Sequence, residues 1–309
     1  MEFDRNYYTG LVTQGRIREV MDYLAPFPNC AESLRKYQRI YEEEDYPPIG
    51  KDEGIGDILL CYQKYYRDAF YLELPEEECR ERLRLRLLEH LPQADPGLPL
   101  CDLENGPLLE FVTGKGVFMH SSIIAGHINP FIWTESEQKT YQVELPEGVQ
   151  ECSIVFARNF IFMGWWWYLA LGNYGVGAWV DETNTVYCDI NAYDTDSEDF
   201  LISMLKHEAQ HLMDQTRWPN LSDATMEFRA YLVELIYYQE ENRLPIFMGK
   251  ASLDDPNNEY ALASYWICES FANHFGTDDL GSIPIPEIQA YARQMFDKTT
   301  ERCMELNAV

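Results

Sequence analysis

Through roughly the first ninety positions, apolar residues recur three or four apart. RIREVMDYLAPF, ESLRKYQRIYEEE, GIGDILLCYQKYYRDAF and PEEECRERLRLRLLEHL each carry such a stripe, and each predicts a helix. Pro75 opens the last of them, and Glu76, Glu77 and Glu78 suit the positive end of its dipole. The proline- and glycine-rich stretch PQADPGLPLCDLENGP then interrupts the pattern. It marks the expected boundary between a helical region over 1–92 and a second region over 93–309, within one continuous domain or between two. Beyond it, TYQVELP, ECSIVFA and the pair GAWV and TVYCDI carry the β-branched and aromatic residues of strands. The last pair reads as a hairpin turning at Asp181 to Asn184. SEDFLISMLKHEAQHLMDQ returns to helical spacing behind a candidate Ser197 cap, and after RWPNLS a further helix follows over DATMEFRAYLVELIYYQEEN. The tail from Ala251 is mostly helical, with loops at DDPNN and SIPIP. This succession predicts an α+β fold.

Composition narrows the choice of partners. A chain of 309 residues with 46% hydrophobic residues has ample material for a core. Asp and Glu outnumber Lys and Arg by 52 to 24, for a formal charge of -28. Such a surface repels phosphate backbones and anionic lipid, which argues against nucleic-acid and membrane partners. Phe160 to Val180 carries no charge and is long enough to cross a bilayer. Its four glycines and Asn173 instead favour a buried helix, a glycine-rich turn and a strand. Eight cysteines without a C-x-x-C pair fit reduced thiols in a cytoplasmic protein, and the start MEFDRNYYTG has no secretory pattern. Trp165 to Tyr168 reads as core. His120 and His127, seven apart without cysteine or acid nearby in sequence, do not read as a metal site.

The chemistry is concentrated in KHEAQH. Helical residues four apart lie one above the other, so His207 and His211 can offer two nitrogens to one tetrahedral zinc ion. Glu208 is turned about 100° from His207, placed to reach a water beside the ion and act as general base. A third ligand has to come from elsewhere. Asp214 is too far along a continuous helix to share an ion with His207. The short WPNLS link returns the next helix antiparallel and brings Glu227 to the histidine face. Glu234, about 10 Å further along the axis, is the fallback. The competing reading pairs Glu227 with Arg229 or Lys206 as a plain salt bridge.

HEAQH, a loop and a second helix bearing a glutamate, MEFRAYLVEL, together resemble the gluzincin branch of the zincin metallopeptidases over residues 150 to 240. Thermolysin-like members carry N-E-x-x-x-D on the second helix. Here Met226 precedes Glu227 and Tyr231 stands at +4, so the pattern is closer to bacterial gluzincin-like proteins with E-[FY]-R-A. The resemblance implies a zincin-like region with a small sheet, a zinc-dependent peptidase acting on peptide or protein, and an edge strand (Gly175 to Asp181, or Thr185 to Ile190) that binds extended substrate. Oxyanion stabilisation needs a further donor, for which Tyr231 and His274 are the candidates. Two other readings stay open: a non-catalytic zincin scaffold, and a zinc hydrolase of a non-peptide amide.

Overall fold

The predicted stripes form helices, and α1 (Arg5–Thr13) precedes them. Its RNYYTGLVT sequence has weak helical propensity. Tertiary contacts hold it: the Tyr8 and Tyr37 hydroxyls meet at 2.9 Å, and Trp166 Nε1 donates to the Thr13 carbonyl at 3.1 Å. There follow α2 (Ile17–Leu24), α3 (Ala31–Tyr37, continued by a wide i→i+5 turn), α4 (Glu53–Phe70) and α5 (Glu76–His90). The computed structural model describes residues 3–180, 185–253 and 258–307. The expected turn at Asp181 to Asn184 and most of DDPNN lie outside these residues.

The chain divides into two compact units, Met1–Ser136 with Ala157–Val176, and Glu137–Phe156 with Gly177–Val309. In the first, α4 is capped by Asp52, whose side chain accepts from the Ile55 amide. It buries Ile55, Ile58, Leu59, Tyr62, Tyr65 and Tyr66 on the stripe its sequence predicts. Fully burying one such large apolar side chain stabilises a fold by about 1.5–3 kcal/mol. Trp165 and Tyr168, on α8 (Gly164–Leu169), belong to the same core. Gly164 opens α8 with φ +76°, and a Cβ there would come within 2.0 Å of Asn129 Oδ1, which accepts from the Trp165 amide. Only glycine fits that turn. His127 pairs with Glu76 at 3.1 Å and packs on Phe70.

The second half of PQADPGLPLCDLENGP is helical rather than extended. α6 (Leu100–Leu103) runs through a wide turn at Glu104–Leu108 into α7 (Leu109–Gly114). The wide turn accommodates Pro107, which lacks a donor, while Leu103, Glu104 and Leu108 are buried.

Among the described residues, five strands form one sheet in the order β1-β2-β3-β5-β4, so the molecule is α+β. They are β1 (Phe118–Ile124), β2 (His127–Leu145), β3 (Gly148–Met163), β4 (Ala178–Val180) and β5 (Val186–Asp189). The strands expected at TYQVELP and ECSIVFA are parts of β2 and β3, which run much further. The extra length escapes an alternation test because residues 128–133 are buried without a break. In the second unit Val143 and Leu145 of β2, Cys152, Ile154 and Phe156 of β3, and Val186 and Cys188 of β5 supply the sheet's contribution to the core. The uncharged stretch from Phe160 is the end of β3, then α8, a turn and β4, and no described helix is long and apolar enough to cross a membrane.

Glu104 is 5% exposed, and its Oε1 accepts from the Tyr62 and Ser121 hydroxyls at 2.6 and 2.9 Å. Burial pushes its pKa up to about 7, against the pull of those two hydrogen bonds. The unfolded chain releases this proton at lower pH than the folded one. Stability therefore falls as pH rises from about 4.5 to about 7 and levels off above. Glu104→Gln is expected to remove a pH-dependent loss on the order of 2–3 kcal/mol, read from urea unfolding of both proteins at pH 5 and pH 8. Parallel curves for the two proteins would show that Glu104 carries no such linkage.

Candidate metal centre

The helix carrying the two histidines is not uniform. Ser197 Oγ accepts from the Phe200 amide, as a cap there should, but Asp199–Lys206 is wound with i→i+5 bonds before α9 (His207–Arg217) begins. This wide segment buries Phe200, Ile202, Met204 and Leu205 and leaves Leu201 exposed. With Ala209, Leu212 and Met213 of α9, these residues join the sheet's core. Wide turns of this kind often adjoin functional sites. Here the segment brings Ser203 onto Glu234, at 2.8 Å.

The WPNLS link is short, and Ser222 caps α10 (Asp223–Tyr237) by accepting from the Thr225 amide. α10 packs along α9 and buries Glu227, Arg229 and Glu234. His207 Nε2 and His211 Nε2 are 3.0 Å apart, and the Glu227 carboxylate lies 3.4 Å from the first and 3.3 Å from the second. A tetrahedron with metal–ligand bonds near 2.05 Å has edges of about 3.3 Å, so the three groups stand where such an ion needs them. Glu227 Oε2 is buried without a hydrogen-bond partner, a costly state that an ion would relieve. Among the described residues, His207, His211 and Glu227 are the group able to hold a metal.

Glu234 is not a rival ligand. Its Oε1 accepts from His207 Nδ1 at 2.8 Å, which turns Nε2 towards Glu227 and His211. Arg243 reaches the same Ser203 hydroxyl at 3.2 Å, closing a chain behind the histidine. Burial disfavours the charged imidazole of His207, but Glu227 and Glu234 outweigh it and raise its pKa well above the ordinary value. Burial likewise opposes the Glu227 carboxylate, yet His207 and His211 hold its pKa well below the usual range. A metal bound here would displace a proton from this histidine–carboxylate group.

The salt bridge considered for Glu227 does not form. Arg229 is wholly buried and pairs with Asp214 at 2.9 Å and Glu147 at 2.8 Å, donates to Thr300, and lies over the Trp218 and Phe296 rings. Lys206 donates to the Glu144 carbonyl beside the Tyr237 ring. Asp214 thus serves Arg229, and Gln210, rather than an ion.

A comparison with protein-family models, with curated proteins and with solved structures finds no match for this chain. The site therefore has to be judged on its own geometry.

Glu208 is half-buried on the first turn of α9, and its charge bears on Cys152, Cys188, Tyr193 and Tyr260. Tyr231 packs beside His207, ring centres 5.6 Å apart, and against Phe247 at 4.5 Å; it is buried. His274 is exposed near the end of α12 (Glu259–Phe275), stacked on Tyr291 of α13 (Ile285–Asn307) at 3.7 Å. It sits about 21 Å along the helix from Tyr260, on the first turn. Tyr260, which sequence reasoning passed over, is half-exposed. Desolvation and then the charges of Glu227, Glu259 and Glu208 push its phenol up. Its sequence context, EYALAS, signals only a helix start; it lies on the first turn of α12, which packs against α10.

Two outcomes follow from this geometry. One equivalent of zinc is expected on the purified protein and none on His211→Ala, with Glu234→Gln weakened about 10–100-fold, all measured by metal titration. Stoichiometric zinc on His211→Ala would rule out the site. Arg229→Ala strands two buried carboxylates and is expected to cost about 3–5 kcal/mol in urea unfolding.

Proposed function

We propose that this chain is a zinc-dependent metallohydrolase of the gluzincin type that cleaves peptide bonds. The observation that supports it most is the convergence of His207 Nε2, His211 Nε2 and the Glu227 carboxylate, with Glu208 next to His207 on the same turn. Softness and charge suit zinc: two imidazoles and one carboxylate are the donor set of hydrolytic zinc sites that keep one position open. Zinc bound there would polarise a scissile carbonyl and lower the pKa of water near it.

The protein's own residues supply the rest. Glu208, in no ion pair among the described residues and partly open to solvent, takes the proton from the attacking water. It then passes that proton to the departing amine. Glu234 holds the His207 ring in one tautomer and one orientation through both steps. Tyr260, close enough for its phenol to feel Glu227 and Glu208, takes the donor role considered for His274. β4 is the terminal strand of the sheet, paired to β5 and so presenting an edge to which an extended peptide can add. β5 lies inside the sheet, which favours the first of the two strand candidates for that role.

A fluorogenic peptide series tests this reading. Cleavage is expected with zinc, to be abolished by chelation and restored by zinc, and to fall by about 100-fold or more in Glu208→Gln without loss of bound metal. Activity that is equal in wild type and Glu208→Gln would refute the catalytic assignment.

A further inference from the structure

α11 (Leu244–Lys250) and the turn after it adjoin the centre, and they differ from its other walls in charge and polarity. Phe247 faces inward against Tyr231, whose ring in turn lies beside His207. Ile246, Met248 and Leu253 are exposed apolar residues on the same segment, and the Ser252 amide bonds the Ala261 carbonyl, next to Tyr260. Lys250 ends the helix with its Nζ 5.9 Å from the centre of the Tyr231 ring. Since that ring is 5.6 Å from His207, the ammonium is at most about 11.5 Å from the imidazole. Glu208, Glu227 and Glu234 make the centre itself strongly acidic. Lys250 has no carboxylate partner among the described residues, in a chain with two acids for each base.

We propose that Lys250 is the receptor for a carboxylate of the substrate, and so a specificity-determining residue of the hydrolysis; the idea rests on the metallohydrolase reading above. The spacing is what gives it content. An extended chain advances about 3.3–3.6 Å per residue, and an ammonium–carboxylate contact adds about 2.8 Å. With the scissile carbonyl at the His207–His211–Glu227 cluster, a carboxylate no more than about two residues beyond it comes within reach of Lys250. The exposed Ile246, Met248 and Leu253 then flank the intervening side chains, which favours apolar ones. The lysine therefore selects for an anion on the stretch of substrate beyond the cluster. A free C-terminus and an acidic side chain offer the same group, and the test separates them.

Three dansylated peptides of alanine, leucine and phenylalanine serve as probes: a free acid, its C-terminal amide, and an amide carrying glutamate at the terminal position. Equilibrium binding is measured by fluorescence to the zinc-loaded Glu208→Gln protein, which turns nothing over, with and without Lys250→Ala or Lys250→Arg. The free acid is expected to bind about tenfold tighter than the amide, the preference vanishing in Lys250→Ala and surviving in Lys250→Arg. Tight binding of the glutamate amide alone would assign the anion to a side chain instead of the terminus, with Lys250 still its receptor. Equal binding of acid and amide, a preference that persists in Lys250→Ala, or no binding by any of the three overturns the proposal. Cleavage is scored separately on the wild type, so binding through Lys250 without zinc-dependent cleavage would remove the hydrolase reading and leave the receptor.

Discussion

α9 and α10 bury ionisable side chains against one another along their length, and this constrains everything around them. Glu234 meets His207, Glu227 meets both histidines, and Arg229 meets Asp214. Removing such groups from water costs several kcal/mol each unless every partner is in place. Sliding one helix past the other by a turn would strand all of them at once. The pair can therefore dock in one register, and that register is the one in which His207, His211 and Glu227 face a single point.

The same constraint reaches outward through Arg229. Its three-way attachment to Asp214, Glu147 and Thr300 ties α9 and α10 to the β2–β3 turn and to α13. Trp218 and Phe296 lie over its guanidinium, whose charge Asp214 and Glu147 neutralise. Apolar packing of α9 on the strands sets how far the histidines stand from the sheet, while the buried ions set their rotation and height. On the proposed hydrolase reading, the reach of Glu208 to an attacking water would depend on both.

Local patterns carried much of this in the sequence. Enrichment in β-branched and aromatic residues located the second-unit halves of β2 and β3, and the apolar stripe over GIGDILLCYQKYYRDAF located α4. The i, i+4 spacing put His207 and His211 on one face, and a link of a few residues was enough to bring Glu227 to them. What escaped had non-local causes. α1 is stabilised by Tyr37 and Trp166 more than by its own propensity. The wide turn before His207 has no residue signature of its own and arises where the helix must satisfy the sheet core and Glu234 together. Tyr260 and Lys250 come from segments after α10, and neither the position of α12 nor that of α11 follows from periodicity.

By itself, then, the sequence determined that His207 and His211 share one helical face, with Glu208 beside them and Glu227 brought to them, since all of this depends on helical geometry and a short connection. Tertiary structure decided what each remaining polar group does. Glu234 became the support of His207, Asp214 the partner of Arg229, Tyr231 a packing neighbour, and His274 a surface residue on Tyr291. Those assignments depend on which elements meet and at what height, and contacts between residues far apart in the chain leave no period to read.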